Sequence, residues 1–397
     1  MDTCMPDLRV SLCRQLAIFM VAGVGLLLCA PLAKAQGPLA GLAHCQAENP
    51  LSTKGQDAGL ARGFNLPNWD PGHNGLKPDD LLLSQLRTEG FSHIRLPIDG
   101  EKLMTAFSGP KEIKAYLDHL EDQVIRLHGL GFSLSLDMHP GGRFQTLHLK
   151  IPAAGLKLLT QAWELIAARA KSWPKAGIYF ELLNEPVPAQ EVWWPQAQSL
   201  VTLLNETAKG RGLIVGPAVY QRYEPLLDAD PLIGQDLIYA IHYYDPFPFT
   251  HQAMTWGEGS YLSRIGQLPF PADANHPALM AQIKKLEQAG DTEAVADLRQ
   301  TFAQPWDAAR VSADFAPVGA WSKRHNVAVI VNEFGVLNFD VDKWARTDWL
   351  RAVRQAAEEH CLGWTHWEFS NGFGMVDPQT TLIDPFVLDA LMSQNSQ

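Results

Sequence analysis

Two stretches of the chain, IYFELLNEP at residues 178–186 and VAVIVNEFG at residues 327–335, each carry a short, mostly apolar run into an Asn-Glu pair. Runs of this kind, followed by turn residues, are typical of strands that are buried on both faces of a parallel sheet. Six further runs of the same character occur at 63–66, 93–97, 132–137, 213–215, 237–241 and 362–367. The sequence therefore predicts eight strands, with those of the two quoted stretches at 178–183 and 327–331.

Amphipathic segments lie between the predicted strands. Apolar residues recur at helical spacing within 113–127, 159–170 and 349–357, which indicates helices with one buried face. Eight strands alternating with helices predict an α/β fold, a (β/α)8 TIM barrel. An open doubly wound sheet is the alternative, but its Gly-rich phosphate loop is missing after the first strand. The link between strands six and seven is about 85 residues long, and we expect a helical insertion at about 246–308.

The first 35 residues have the pattern of an export signal. Arg9 and Arg14 precede an apolar run at about 16–30, and Ala33-Lys34-Ala35 offers a small-residue cleavage site. A membrane anchor is the alternative, but spanning a bilayer takes about 20 apolar residues. We therefore expect a signal peptide over 1–35, a single domain over 36–397, and a secreted or periplasmic protein with no membrane contact after cleavage.

Composition and charge limit the classes of molecule that the chain is expected to bind. The chain is 46% hydrophobic and 19% charged, as in ordinary globular proteins, and its formal net charge is −11. An acidic chain without a basic run is not expected to bind nucleic acid or an anionic membrane. We expect a monomer. The sequence has neither a C-x2-C nor an H-E-x-x-H pattern, so no metal or other cofactor is expected.

Cys45 and Cys361 are the two cysteines of the five that lie beyond the expected signal peptide. In an oxidising compartment two such thiols can pair as a disulfide, and the alternative is two separate buried thiols. The sequence leaves both possibilities open.

Polar, charged and aromatic residues follow most of the predicted strands, at the end where TIM barrels carry their functional groups. Glu185 and Glu333 follow strands four and seven, whose ends face each other across the barrel mouth. Cleavage of a glycosidic bond needs one protonated carboxyl and one ionised carboxylate on the same cleft. Other strand ends carry Arg95, His139, Asn184, His242, Tyr244 and Trp367.

The local strings at these strand ends resemble a known family. RGFNLPNW, HIRLPI, LSLDMHP, ELLNEP, HYYDPF, IVNEFG and HWEFSNGFG follow in this order between residues 62 and 374. Together they resemble glycoside hydrolase family 5, the cellulase family within a clan of retaining (β/α)8 enzymes. The resemblance implies a retaining β-glycosidase with Glu185 as the acid/base and Glu333 as the nucleophile.

The same resemblance implies roles for the surrounding residues. Arg95 and Tyr244 would contact the nucleophile, and Asn184 would hold the 2-hydroxyl of the reacting sugar. His139 and His242 would complete the hydrogen-bonded floor, with Trp367 under that sugar. Aromatic side chains bind the apolar face of sugar rings. Among the aromatic residues of the presumed mouth loops, we expect Trp69 and Trp256 to bind further sugar units.

The sequence indicates the type of reaction more closely than it indicates the polysaccharide that is cleaved. The resemblance implies cleavage of a β-1,4-linked glucan, most commonly by an endoglucanase. Mannan, β-1,3-glucan and an exopolysaccharide made by the organism itself remain alternatives, as does transglycosylation. The loop at 140–143 and the long insertion both depart from the family pattern and flank the cleft. A sugar-binding protein without catalysis would be expected to lack one carboxylate, and both are present.

Overall fold

The apolar runs form the strands of one closed barrel. The structure is a computed structural model that describes residue 45 and residues 59–257 and 259–393, so the expected signal peptide lies outside the described residues. Every strand pairs in parallel with the next, and the eighth pairs with the first. The predicted (β/α)8 barrel is confirmed. Its strands are β1 Arg62–Asn65, β2 His93–Ile98, β3 Ser133–Met138, β4 Ile178–Glu181, β5 Leu213–Val215, β6 Leu237–His242, β7 Ala328–Glu333 and β8 Gly363–His366.

Helices connect the strands on the outside of the barrel. The described part of the chain contains ten helices of eight residues or more: α1 Asp80–Glu89, α2 Pro110–Gly129, α3 Gly142–Lys150, α4 Pro152–Arg169, α5 Gln190–Thr207, α6 Pro277–Gln288, α7 Thr292–Thr301, α8 Ala308–His325, α9 Lys343–Glu359 and α10 Pro385–Met392. The apolar face predicted within 113–127 is the buried face of α2. Helix α1 begins at an Asp79 cap and ends at Gly90, whose φ of 114° suits glycine.

Side chains alternate along each strand between the barrel interior and the helix layer. On β7, Ala328 and Ile330 belong to a small apolar cluster inside the barrel, and Asn332 follows two residues later. On β6, Ile238 and Ala240 precede His242 in the same way. On these two strands the inward positions therefore change from apolar to polar toward the C-terminal end, which places Asn332 and His242 near the barrel mouth.

The connection from β6 to β7 contains a helical hairpin made of α6 and α7. At its base, Ala272 and Trp306 pair as an antiparallel bridge, with N–O distances of 2.9 and 2.8 Å. Arg264 Nε contacts Asp291 Oδ2 at 2.5 Å and ties the hairpin to the preceding turn. The two ends of the hairpin therefore lie side by side, and the hairpin lies within the expected insertion at about 246–308.

Cys45 and Cys361 form a disulfide, with their Cα atoms 5.5 Å apart. It ties Cys45 to the turn between α9 and β8, across 316 residues of sequence. Within the described part of the chain, no helix combines the length and apolar character needed to cross a membrane.

Candidate active site

Arg95 points into the barrel from β2 and lies at the centre of the site. The guanidinium is fully buried and contacts three carboxylates: Asp137 at 2.9 Å, Glu181 at 2.7 Å and Glu333 at 2.5 Å. Burial alone opposes the charge, but these three carboxylates hold the pKa of Arg95 well above its usual value. A permanent cation therefore lies against Glu333.

Glu333 ends β7 and is almost completely buried. Its Oε1 accepts a hydrogen bond from Arg95, and its Oε2 accepts one from the Tyr244 hydroxyl at 3.1 Å. Burial, followed by the charge of Glu333, raises the pKa of Tyr244 well above its usual value, so the phenol stays protonated and donates. Both oxygens of Glu333 are thus oriented by donors, which is the arrangement that a carboxylate nucleophile requires.

Glu185 follows β4 by four residues and has different surroundings. Its backbone φ is 44°, and its N–H donates to Gln221 Oε1 at 2.8 Å, which fixes the unusual backbone conformation. The side chain is 29% exposed, and its Oε1 lies 2.9 Å from His242 Nδ1. Burial raises the pKa of Glu185, against the opposing effect of His139 and Arg95. A carboxyl that keeps its proton to higher pH suits a general acid.

The two glutamates share one small space. One oxygen of Glu185, one oxygen of Glu333 and a nitrogen of His242 lie within 4.8 Å of one another. Retaining glycosidases hold their two carboxyl groups about 5–5.5 Å apart, whereas inverting enzymes need about 6.5–9.5 Å. The separation fits the retaining geometry. The same three side chains could supply metal ligands, but the guanidinium of Arg95 beside Glu333 disfavours a second cation there.

Two neutral histidines complete the floor of the site. His139 donates from Nδ1 to Asp137 Oδ2 at 2.8 Å and accepts at Nε2 from the Asn184 amide at 3.2 Å. Asn184 Oδ1 in turn accepts from Arg95 at 2.9 Å. Burial lowers the pKa of His139, and it lowers that of His242 to about 4. Both rings are therefore uncharged at neutral pH and act through hydrogen bonds.

Trp367 follows β8 and stacks with His139, with ring centroids 5.9 Å apart and 25° between the planes. Trp256 is 49% exposed, and its ring centroid lies 6.4 Å from that of Phe373. The ring centroid of Phe373 lies 6.0 Å from that of Tyr244. Trp256 therefore lies near the site, at the outer edge of an aromatic cluster.

Trp69 does not lie where the sequence predicted a sugar-binding surface. It is buried, because the 3-10 turn Pro67–Trp69 folds inward against α2. Its indole N–H donates to Pro97 O at 2.8 Å, and its ring stacks with His119 at 5.8 Å. Because its ring is covered and its N–H is hydrogen-bonded, Trp69 has no face to offer a sugar. The expectation that Trp69 binds a further sugar unit is therefore wrong.

Residues of the site that were not singled out from the sequence include Glu181, Gln221 and Glu368. Glu181 ends β4 and contacts Arg95, and the signal that could have revealed it is a single charge within the apolar run at 178–183. Gln221 holds the backbone of Glu185. Glu368 is buried beside the site, and burial raises its pKa to about 8 although Asn371 and the Phe373 N–H donate to it.

The chain is similar to known proteins over most of its length. A family model described as cellulase (glycosyl hydrolase family 5) matches residues 52–371. Endoglucanase 3 of Fibrobacter succinogenes is 26% identical over 363 residues, which cover 83% of this chain and 52% of that protein. This chain therefore spans about half the length of Endoglucanase 3.

Two further known proteins are matched over most or all of their own length. Endoglucanase C of Acetivibrio thermocellus is 25% identical over 334 residues, covering 77% of this chain and 90% of that protein. Among solved structures, one titled "endoglucanase" superposes with a TM-score of 0.69 at 20% identity, over 86% of this chain and all of the other. At that identity the likeness shows the fold alone.

Proposed function

Because the chain belongs to the cellulase family, glycosyl hydrolase family 5, we propose that it is a retaining β-glycosidase that hydrolyses a β-1,4-linked glucan. The observation that carries the proposal is the pair Glu185 and Glu333, whose oxygens lie within 4.8 Å but whose surroundings differ. Burial favours the protonated form of Glu185, whereas Glu333 accepts hydrogen bonds from a cation and a phenol. Acid and nucleophile are thus assigned by environment.

In the first displacement, an oxygen of Glu333 attacks the anomeric carbon while Glu185 donates its proton to the departing glycosidic oxygen. The bond between the anomeric carbon and that oxygen breaks, and the sugar becomes an ester of Glu333. Arg95 and Tyr244 keep the attacking carboxylate in place. Neutral His242 keeps Glu185 directed at the leaving oxygen through the 2.9 Å contact.

In the second displacement, Glu185 is a carboxylate and takes a proton from water. The water oxygen attacks the anomeric carbon, the ester bond breaks, and Glu333 is released as a carboxylate. Two inversions at one carbon give a product with the configuration of the substrate. Efficient attack by a sugar hydroxyl instead of water would make the same site a transglycosylase.

Sugar binding is assigned to the floor and the aromatic residues around the pair. Asn184 is held between Arg95 and His139, so its amide can meet the 2-hydroxyl of the reacting sugar. Trp367 offers an aromatic face to that sugar, and Trp256 offers one to a more distant unit. The glucan preference is supported by the relatives, which are named endoglucanases.

Export is the proposal for the location of the protein. The charge, apolar run and small-residue site within residues 1–35 have the order of a signal peptide. The disulfide between Cys45 and Cys361 is of the kind that persists in oxidising compartments. We therefore propose a secreted or periplasmic monomer whose partner is a polysaccharide.

Substitution of each glutamate tests the function. Purified wild type, E185A and E333A would be assayed on carboxymethylcellulose, mannan and a β-1,3-glucan, with chromatography of the products. Wild type is expected to release short β-1,4-gluco-oligosaccharides. E185A should lose about 10²–10⁴-fold in rate, and E333A should lose turnover altogether. E191A, which alters an exposed glutamate at the start of α5, is the control.

Unchanged hydrolysis by E333A would overturn the assignment of the site. Hydrolysis of mannan or β-1,3-glucan alone would keep the chemistry and replace the proposed substrate.

A further inference from the structure

A cavity opens beside Trp367, over which the reacting sugar is proposed to lie. It has a volume of about 320 Å³ and shares His139 and Trp367 with the active site. The rest of its lining comes from Pro97 in β2 and from the loops that follow β1 and β2, which contribute Asp70, Asp99 and Lys102. This volume is at the lower end of the range for small-molecule sites, about 300–1,000 Å³. A ligand unit in this cavity would therefore lie next to the sugar over Trp367.

The position of the cavity decides which part of a substrate it would hold. Apart from Pro97, its lining follows β1, β2, β3 and β8, whereas Glu185 follows β4. The leaving group must depart past Glu185, because it takes the proton from that side chain. The cavity therefore lies on the opposite flank, where the substrate portion that stays attached to Glu333 would extend.

Lys102 and Asp99 present a cation and an anion to this cavity. Lys102 Nζ contacts Asp70 Oδ1 at 2.7 Å and lies 3.7 Å from Asp99 Oδ2. The longer distance is beyond a hydrogen bond. Both side chains are partly exposed, at 34% for Lys102 and 39% for Asp99. An ammonium group carries three donors, so Lys102 retains hydrogen-bonding capacity besides its bond to Asp70.

The pair is held in place by a buried network. The Tyr116 hydroxyl donates to Asp70 Oδ2 at 2.6 Å and accepts from the Asp99 N–H at 2.9 Å. Asp70 Oδ1 also accepts from the Gly72 N–H at 2.6 Å. Asp70 is thus satisfied within the protein and serves to anchor Lys102.

Gly72 provides the room for the ammonium group. A Cβ at this position would lie 2.8 Å from Lys102 Nζ and 3.2 Å from Asp70 Oδ1. Any larger residue would therefore push the ammonium group away from its anchor.

We propose that Lys102 and Asp99 bind hydroxyl groups of the second sugar unit on the glycone side of the cleaved bond, an inference that rests on the proposed function. The ammonium donates and the carboxylate accepts, so the pair matches two neighbouring hydroxyls, each of which can do both. Hydrogen bonds to charged groups are stronger than neutral ones. Because Trp69 is buried beneath these loops, this sugar is recognised by charge-assisted hydrogen bonds in addition to the shared edge of Trp367.

Two aryl glycosides separate this subsite from the chemistry. An aryl β-glucoside fills only the reacting position on the glycone side, whereas an aryl β-cellobioside also fills the next one. The measured quantity is the ratio of kcat/KM for the cellobioside to kcat/KM for the glucoside. K102M and D99N are expected to lower this ratio at least about tenfold, as loss of a charge-assisted hydrogen bond does. G72A, which displaces the ammonium group, should lower it in the same direction.

The control is K114M, which removes an exposed lysine, 73% accessible, that pairs with Asp118 on α2. It should leave the ratio as in wild type. D99N keeps the side-chain oxygen that accepts from the Glu101 N–H, so it preserves the turn, and thermal unfolding of each variant checks folding. A folded K102M and a folded D99N with unchanged ratios would overturn the subsite and leave the proposed function intact. Failure of wild type to hydrolyse either glycoside would overturn both.

Discussion

Arg95 is the residue on which the candidate site depends electrostatically. It is fully buried and is the shared counter-charge of Asp137, Glu181 and Glu333. Removing one partner of a buried ion pair typically destabilises a protein by about 3–5 kcal/mol, because the remaining charge is left buried and unpaired. We predict that R95M lowers the free energy of unfolding by about that amount and abolishes hydrolysis.

Denaturant unfolding of R95M would be compared with that of R351M. Arg351 also contacts two carboxylates, Asp348 and Asp389, but its pairs are exposed to solvent. Exposed pairs contribute about 0–1 kcal/mol, so R351M should be close to wild type. An equally small decrease in the free energy of unfolding of the two variants would contradict the role given to Arg95.

Glu368 makes stability depend on pH. An unfolded glutamate ionises near pH 4.3, whereas burial raises the pKa of Glu368 to about 8 in the folded protein. Between these values the folded state retains a proton that the unfolded state releases, so the stability due to this group is lost as the pH rises. The slope for one such group is at most about 1.4 kcal/mol per pH unit.

We predict that E368Q flattens this dependence. The free energy of unfolding of wild type, measured between pH 5 and pH 8, should fall relative to that of E368Q. The comparison cancels the other titrating groups that both proteins share, including Asp137, whose pKa burial raises to about 7. Parallel curves for the two proteins would show that Glu368 does not carry this proton.

The sequence located most of the residues that carry the chemistry, but not all of the residues that support them. Arg95, Asn184, Glu185 and Glu333 were all expected at strand ends, and the structure brings them together. Glu181 was not expected in the site, because the predicted strand ran on to residue 183 and left this glutamate within an apolar run, whereas β4 ends at Glu181. Its role depends on which neighbours the closed barrel brings into contact.

Trp69 is a residue that the sequence predicted for the site but that the structure buries elsewhere. Its position after β1 was correct for a mouth loop, but its side chain turns inward toward α2. Whether an aromatic ring in a loop faces solvent or the interior depends on the tertiary packing of that loop, which local sequence does not contain.

At the scale of elements, the strands were predictable because each is a short apolar run between turn signals. The bounds of β5 agree fully with the prediction, and β4 ends two residues early, at Glu181. The turn at 219–221 could not be predicted, because it places Val219, Tyr220 and Gln221 at positive φ, a region that β-branched and bulky residues rarely occupy. The bond from the Glu185 N–H to Gln221 helps to hold this turn in place.

The hairpin of α6 and α7 is an element that we expect to be removable. Its ends meet at the Ala272–Trp306 bridge, so a two-residue Asn-Gly turn can replace residues 273–305. We predict that this deletion still unfolds cooperatively and keeps kcat/KM for an aryl β-glucoside within about threefold of wild type, since no transition-state contact is lost. Circular dichroism and the aryl glucoside assay would check both points.

The outcome that would contradict this prediction is a folded deletion variant with little activity. The hairpin would then have to contribute to the cleft, although its contacts to the preceding turn run through Arg264 and Tyr261 rather than through site residues.

At the scale of the whole molecule, barrel closure produces the site. Glu185 and Glu333 are 148 residues apart in sequence, and their oxygens meet within 4.8 Å because β4 and β7 belong to the same closed sheet. The sequence predicted closure from the eight alternating runs. It could not give the separation of the carboxyl groups, which depends on the tilt of the strands and on the network around Arg95.

Capture of the glycosyl-enzyme would show whether hydrolysis proceeds by double displacement on Glu333. An aryl 2-deoxy-2-fluoro-β-cellobioside carries a good leaving group, while its fluorine slows both displacements, so the ester of the nucleophile should accumulate. Mass spectrometry of the intact protein should show the addition of one fluorinated disaccharide, and peptide mapping should place it on Glu333. An adduct on another carboxylate, or release of a product with inverted anomeric configuration and no adduct, would contradict the double displacement.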